Sequence, residues 1–161
     1  MSAVIREFQK SDEKKVKKCI KELKEYESQF DEDYLTGSEA VDRLFQDLIK
    51  AKKERKGKIF VAEANENIAG FISMEVENKN DELITKKVDC IYVSDLVVLP
   101  EHRGKNIGKM LLDKANEYAG SNNIKYVKLI VFSESKQTKA IYKHLGFQDY
   151  ETTMLKKLTT G

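Results

Sequence analysis

The sequence has few of the features that mark secreted, crosslinked or membrane-bound proteins. Its two cysteines, Cys19 and Cys90, lack the close spacing that is typical of zinc sites and redox pairs. We therefore expect reduced thiols and no metal site. No apolar run approaches the roughly 20 residues that cross a bilayer, and the charged start of the chain lacks the apolar segment of a signal peptide. These absences predict a cytoplasmic protein that has no membrane partner.

An excess of charge of one sign is also lacking. The chain has 29 Lys and Arg residues against 27 Asp and Glu residues, which gives a net charge of +2. Domains that bind nucleic acid concentrate positive charge more strongly. The one locally basic stretch, residues 50–58, is typical of a solvated helix end, and a small nucleic-acid-binding surface is the less favoured alternative. We expect no nucleic-acid partner.

The single proline, Pro100, separates a long apolar strand from a helix and so helps to place the secondary structure. Apolar residues at helical spacing predict four helices, around residues 16–26, 41–49, 104–122 and 134–145. Alternating or continuous apolar runs predict six strands, at residues 3–8, 59–64, 68–76, 88–99, 126–132 and 147–158. Residues 77–87 are polar and are predicted to form a loop. The order of elements predicts one α/β domain over residues 1–161, with a mixed sheet.

The segment SDLVVLPEHRGKNIGKMLL, which begins at Ser94, carries the strongest indication of a binding site. A strand ends at a proline, and a basic, glycine-containing turn opens directly into a helix. The first turn of a helix offers unpaired N–H groups and the positive end of the helix dipole, which together favour phosphate. Gly104 and Gly108 let a ligand approach the backbone. Nearby positive charge comes from three side chains: Arg103, Lys105 and Lys109.

The sequence of this turn disfavours two phosphate-binding motifs, because it matches neither the P-loop pattern nor the dinucleotide fingerprint. From the local chemistry alone, a phosphate-binding helix start and an ordinary strand-to-helix turn both remain open.

The turn resembles the coenzyme A signature of the GNAT superfamily of N-acetyltransferases. That signature has Gln or Arg, then Gly three residues later, then Gly or Ala two residues after that, and this chain has Arg103, Asn106 and Gly108. Asn replaces the first glycine, and it is among the non-glycine residues that best tolerate left-handed backbone angles. Downstream, the segment from Tyr142 to Phe147 is similar to the family's Tyr-x-x-x-Gly-Phe ending. The order of elements also resembles the family fold over nearly the whole chain.

This resemblance implies a GNAT-like fold with a sheet of six to seven strands and about four helices. The family's fourth strand carries a β-bulge, so the sheet is expected to splay between strands 4 and 5. Acetyl-CoA is the implied acyl donor, used without a metal, and dimers are common among members, which suggests a homodimer. The implied CoA contacts fall on three parts of the chain: the strand residues Leu96, Val97 and Val98, the turn residues Arg103, Gly104, Lys105, Asn106, Ile107, Gly108 and Lys109, and Ser135, which stands where members often have Asn.

The resemblance also implies an acyltransferase reaction in which an amine attacks the thioester directly. A backbone N–H of Leu96 or Val97 would stabilise the oxyanion, and Tyr142 would protonate the leaving thiolate. Related diamine acetyltransferases have Glu-Asp where this chain has Ser94 and Asp95, so Asp95 is left as the candidate base or substrate-orienting group. A buried carboxylate is costly without a partner or a task.

Acidic residues near the expected acceptor side, Glu25 and Glu27 among them, favour a cationic small-molecule or peptide amine as acceptor. A solvated helix end explains both glutamates equally well. His102 and His144 are isolated and are not predicted to be catalytic. The missing glutamate and the Asn-for-Gly change keep a second hypothesis open, a non-catalytic CoA-binding regulatory or interaction module.

Overall fold

A computed structural model describes residues 2–78 and 88–159. The chain divides into two compact units, Met1–Ile130 and Val131–Gly161. Most of the polar loop predicted at residues 77–87 lies outside the described residues.

The first unit contains a five-stranded sheet and three helices. The strands are β1 (Val4–Glu7), β2 (Lys58–Ala64), β3 (Asn67–Glu77), β4 (Cys90–Val98) and β5 (Tyr126–Lys128), and they lie in that order across the sheet. Neighbouring strands are antiparallel except β4 and β5, which are parallel. The helices are α1 (Glu13–Glu27), α2 (Ser38–Glu54) and α3 (Ile107–Ser121). The second unit contains α4 (Lys136–His144), so the four predicted helices and the mixed α/β architecture are confirmed.

The predicted number of strands is wrong, because five strands are found among the described residues instead of six to seven. β5 ends at Lys128, four residues before its predicted end, and residues 147–158 form no regular strand. Alternating side chains show which face of a strand could be buried. They do not supply the neighbouring backbone that must pair with its N–H and C=O groups. The sequence pattern therefore overestimated the sheet at its C-terminal side.

The core of the first unit lies between the sheet and the pair α1 and α2. Apolar side chains recur every three or four residues along both helices, and they pack onto alternate residues of β2, β3 and β4. The buried cluster includes Val16, Ile20, Phe45, Phe71 and Val97. α3 packs against β2, β3 and β4 as well, with its own buried stripe. These contacts fix α1 and α3 on either side of β4.

β4 is irregular at one residue. Asp95 pairs with Ser73 of β3, and Val93 pairs with Met74, so Ser94 is an extra residue on β4. This is a β-bulge, which bends a strand and increases its twist. The pairing of β4 with β5 covers Cys90–Tyr92 only, so among the described residues the two strands part just before the bulge. The β-bulge that the family resemblance implies is therefore present in β4, and pairing with β5 ends just before it.

Gly70 is required where β3 approaches β4. A Cβ atom added at Gly70 would overlap the carbonyl oxygen of Val97. We expect Gly70→Ala to lower the free energy of unfolding by about 1–3 kcal/mol, since overpacking forces backbone to move. Urea denaturation monitored by circular dichroism measures this change in the free energy of unfolding. Gly120→Ala is the matched control, because nothing lies within 4 Å of the added Cβ there. Equal midpoints for both variants would contradict the prediction.

Candidate active site

The turn between β4 and α3 has the backbone geometry of a helix-start binding loop. A short 3-10 turn covers Pro100–His102, and Arg103 then returns to extended backbone. Gly104 has a φ of 74° and Asn106 has a φ of 65°, and both lie in the left-handed region. Asn106 is the N-terminal cap of α3. Asn106 therefore adopts the left-handed conformation that asparagine tolerates in place of glycine.

The two glycines of the turn leave open space beside the backbone. An added Cβ at Gly104 would meet nothing within 4 Å, and one at Gly108 would meet only Val98 Cγ2 at 3.8 Å. Packing within the chain therefore does not require Gly108 to be a glycine. A helix start with an uncovered backbone fits a pyrophosphate, whose oxygens need close N–H donors.

Positive side chains surround the turn, and their interactions with other groups of the chain are weak. Arg103 donates from Nε to the carbonyl oxygen of Val98 at 3.0 Å, yet it is 55% exposed. Lys109 forms an ion pair with Asp113 at 2.9 Å and is 51% exposed. Lys105 is also exposed. Exposed ion pairs contribute little free energy, so these cations can turn toward a phosphate at small cost.

The strand before the turn has, beyond Tyr92, one backbone edge that pairs with no described strand of the first unit. Leu96, Val97 and Val98 pair with β3 on one side. On the other side, pairing with β5 has ended at Tyr92 within the described part of the chain. An extended ligand can pair with such an edge as an added strand does.

A network of charged and hydroxyl groups lies on the α1 side of the bulge. Asp95, whose side chain is 10% exposed, accepts a hydrogen bond from Ser73 Oγ at 3.0 Å. Its other oxygen lies 3.5 Å from Lys24 Nζ. Lys24 also donates to Glu27 at 2.9 Å, and the Tyr34 hydroxyl donates to the same Glu27 oxygen at 2.7 Å. The network therefore joins α1, the segment after it, β3 and β4.

Burial and charge shift the pKa values in this network. Burial raises the pKa of Asp95, while Lys24 and the Ser73 hydroxyl oppose the rise. Burial by itself lowers the pKa of Lys24, but the charges of Asp95 and Glu27 outweigh it, so this pKa is raised. Burial, reinforced by the hydrogen bond to Glu27, raises the pKa of Tyr34 to about 12. Lys24 is therefore a cation and Tyr34 a neutral phenol at neutral pH.

In the second unit, the Tyr-x-x-x-Gly-Phe segment ends α4 with a Schellman motif. The N–H of Phe147 bonds to the carbonyl of Tyr142 at 3.0 Å, and the N–H of Gly146 bonds to that of Lys143 at 3.1 Å. Gly146 has a φ of 94°, the left-handed conformation in which glycine ends a helix at low cost. The Tyr142 and Phe147 rings meet edge to face, with centroids 5.6 Å apart. Ser135 occupies the N-terminal cap of the same helix.

A comparison with known families identifies this arrangement. The model of the acetyltransferase (GNAT) family matches residues 20–147, which is most of the chain. The chain belongs to the GNAT family. An archaeal N-acetyltransferase from Archaeoglobus fulgidus is 34% identical over 69% of this chain and 72% of its own length.

Other relatives match over shorter segments. An N-acetyltransferase of Methanocaldococcus jannaschii is 32% identical over 62% of this chain, and the match covers 42% of that protein. The bovine thialysine N-epsilon-acetyltransferase is 37% identical over 37% of this chain and 35% of its own length. The chain thus covers less than half the length of these two relatives.

Solved structures share the fold of this GNAT chain. A Bacillus halodurans protein, solved as a mutant, superposes with a TM-score of 0.86 at 21% identity, covering 97% of this chain and 99% of the other. An aminoglycoside N-acetyltransferase crystallised with CoA has a TM-score of 0.74 at 15% identity, covering 97% and 94%. At such identities the likeness shows the fold.

Two kinds of feature are absent from the described residues of this GNAT chain. No helix there is long and apolar enough to cross a membrane. No group of three or more His, Cys, Asp or Glu side chains there could hold a metal ion.

The structure separates the two glutamates proposed for the acceptor side. Glu27 is 23% exposed and reaches Asp95 through Lys24. Glu25 is 53% exposed and lines a surface groove with Leu99 and Pro100. Of the predicted pair, Glu27 alone takes part in the network described at the bulge of this GNAT chain.

Sequence reasoning missed Lys24 and Tyr34. A signal for Lys24 was present, because it follows the buried Val16 and Ile20 at a spacing of four residues, on the apolar stripe of α1. A lysine on such a stripe indicates a buried partner for its charge. No comparable signal marked Tyr34, which lies between α1 and α2 and finds Glu27 only in the folded chain.

Proposed function

We propose that this chain is an N-acetyltransferase that moves an acetyl group from acetyl-CoA to a primary amine by direct attack. The bulge at Ser94 carries the proposal. It lies where β4 leaves β5, a few residues before a turn that exposes the start of α3. A free strand edge leading into a phosphate-binding helix start suits a long, extended donor that ends in a pyrophosphate.

The residues that would hold the donor follow from this geometry. Leu96, Val97 and Val98 would pair with the pantetheine arm, and the turn from Arg103 to Lys109 would hold the pyrophosphate. When bound, acetyl-CoA supplies an activated acetyl thioester. A backbone N–H of Leu96 or Val97 would stabilise the negative charge that develops on the carbonyl oxygen. Ser135 would add a hydrogen bond.

Two side chains would carry out the proton transfers. Asp95 would take a proton from the incoming ammonium, directly or through a water molecule, so that a neutral amine attacks. Tyr142 would donate its phenolic proton to the departing sulfur. As the tetrahedral adduct collapses, its nitrogen would lose a second proton, which can return to the Tyr142 phenolate, so that Asp95 holds the one proton released overall.

A cationic amine is the acceptor that the charges favour. Asp95 and Glu27 carry two negative charges, and Lys24 offsets one of them, so the network retains one negative charge for an ammonium group. The names of two relatives agree with this class, since thialysine and aminoglycosides are cationic amines. The rest of the acceptor is not specified by the described residues.

An amine panel with detection of free CoA thiol tests the proposed function. The panel contains polyamines, aminoglycosides, lysine analogues and peptides, together with neutral and acidic amines as controls. We expect turnover of at least one cationic amine and a lower kcat/KM for acidic amines. If the chain binds CoA but acetylates none of them, the non-catalytic CoA-binding module becomes the better interpretation.

The space beside Gly108 gives a separate prediction for donor binding. Gly108→Ala should raise the free energy of unfolding slightly, because alanine is favoured over glycine in helices by up to about 1 kcal/mol. It should nevertheless weaken CoA binding about tenfold, an order-of-magnitude estimate for a methyl group at a close backbone contact. Calorimetric titration with CoA measures the affinity.

Gly120→Ala is the matched control for that experiment. Gly120 lies near the other end of α3, and an added Cβ there meets nothing within 4 Å. This variant should gain similar stability while its CoA affinity stays at the wild-type value. Unchanged CoA affinity in Gly108→Ala would show that the donor does not approach this backbone.

A further inference from the structure

Lys24 is a buried lysine at the centre of the network beside the bulge. Its side chain is 8% exposed, and its ammonium lies 2.9 Å from Glu27, 3.4 Å from the Tyr34 hydroxyl and 3.5 Å from Asp95. No other lysine among the described residues is buried to this degree. Neither the family signature nor the proposed roles of Asp95 and Tyr142 account for it.

A lysine at this position is costly unless its charge is used. Val16 and Ile20 precede it at four-residue spacing and pack into the core, so an aliphatic side chain would fit the same stripe. Removing an ammonium from water costs several kcal/mol, and a buried ion pair seldom stabilises a fold more than apolar packing does. A function in the site explains the residue better than a gain in stability.

Lys24 cannot easily take part as a nucleophile or as a proton donor. Burial lowers its pKa, but the surrounding carboxylates outweigh burial and the pKa is raised overall. The group therefore keeps its proton and acts as a fixed positive charge. The closest charged groups on which that charge acts are the carboxylates of Asp95 and Glu27.

We propose that Lys24 is a positioning residue, an internal counter-cation that keeps Asp95 ionised and holds its carboxylate at the bulge. The inference rests on the proposed function, in which Asp95 serves as the base. Ser73 fixes one carboxylate oxygen at 3.0 Å, and Lys24 faces the other at 3.5 Å. The orientation of Asp95 is thus set from β3 and from α1 together.

Loss of the counter-cation has a defined effect on pH dependence. Burial already favours the neutral form of Asp95, and Lys24 opposes burial, so the pKa of Asp95 rises further when Lys24 is neutralised. A base acts only when ionised, so the rate falls as the pH drops below that pKa. The acidic limb of the kcat/KM profile must therefore move to higher pH. The charged and titratable groups that act on Asp95 are Lys24 and Glu27 of α1 and Tyr92 of β4. Tyr34, after α1, contacts Lys24 and Glu27.

The test uses Lys24→Met, which removes the charge and has a similar helix preference in an unbranched side chain only one atom shorter. We expect the acidic limb to move up by at least about one pH unit, with much of the lost rate recovered at high pH. Lys21→Met is the matched control, since Lys21 lies one turn earlier on α1 and is 63% exposed. Its profile should overlay that of the wild type. The inference is overturned if the acidic limb of the Lys24→Met profile stays at the wild-type pH, even when the rate is lower. A lysine with a purely structural role would lower the rate equally at every pH.

A second measurement on the unmodified chain keeps the inference testable if Lys24→Met does not fold. Carboxyl and lysine side-chain NMR titrations report the protonation states directly. We expect Asp95 to be ionised at about pH 7.5 and Lys24 to keep its proton up to about pH 9. An Asp95 side chain that is neutral at about pH 7.5, or a Lys24 side chain that is neutral below about pH 9, overturns the inference.

The two experiments also separate this inference from the proposed function. If the chain is active and the acidic limb of its kcat/KM profile is the same in Lys24→Met as in the wild type, the role of Lys24 is refuted. The proposed acetyltransferase activity is then unaffected. A chain that acetylates no amine, yet shows an ionised Asp95 that becomes protonated in Lys24→Met, supports the electrostatic role of Lys24 and refutes the catalytic one of Asp95.

Discussion

Tyr142→Phe is expected to lower kcat for amine acetylation by about 10²–10⁴-fold, the usual contribution of a positioned general acid. The change removes only the phenolic oxygen. The ring contact with Phe147 and the Schellman motif at the end of α4 should persist, because neither uses the hydroxyl. CoA affinity and the melting temperature should stay close to their wild-type values. Single-turnover acetylation with free-thiol detection measures the rate, and calorimetric titration measures the CoA affinity.

Tyr126→Phe provides the control for this variant. Tyr126 lies on β5 and is 60% exposed, so loss of its hydroxyl should leave kcat unchanged. The proposed role of Tyr142 is refuted if Tyr142→Phe turns over at the wild-type rate. A loss of CoA binding together with activity would instead assign the residue to the donor site.

The second large effect is expected at Asp95. Asp95→Asn should reduce kcat/KM by about 10²–10⁴-fold through loss of the general base. The amide oxygen of Asn can still accept the hydrogen bond from Ser73, and Lys24 keeps its ion pair with Glu27. The fold should therefore survive, and the loss should lie in catalysis.

A pH profile separates loss of the base from loss of structure. Burial raises the pKa of Asp95, so the acidic limb of the wild-type profile should lie above the ordinary range of aspartate. Activity is lost as the pH falls through that value, because the base becomes protonated. Asp95→Asn should show a residual rate without this limb. Asp42→Asn, at a 58% exposed carboxylate of α2, should keep both the rate and the limb. An acidic limb that persists in Asp95→Asn would place the base elsewhere.

Features that depend on local sequence were predictable. The helices α1 to α4 follow from apolar spacing. The turn after Pro100 follows from glycine, cations and a helix start that lie next to one another in the chain. Asn106 could be assigned a left-handed backbone in advance, because few other residue types adopt it at low cost.

Features that depend on a partner from another segment were not predictable. Lys24 is buried only because Asp95 arrives from a strand that is distant in the chain. The strand predicted at residues 147–158 was wrong, because no strand is assigned at those residues and side chains alone do not supply a pairing partner. Local pattern determines what an element can bury. The assembled fold decides which charges meet.

The extra residue at Ser94 also reverses the side-chain parity of β4. Tyr92 pairs with Glu75 and Asp95 pairs with Ser73, so these two β4 side chains share a face although an even-numbered and an odd-numbered residue would face opposite sides of a regular strand. Before the bulge the even-numbered residues point toward that face, and after it the odd-numbered ones do. An alignment or a graft that treats β4 as a regular strand would assign half of its side chains to the wrong side of the sheet. The single extra residue at Ser94 therefore places the Asp95 side chain on the face of the sheet where Lys24 lies.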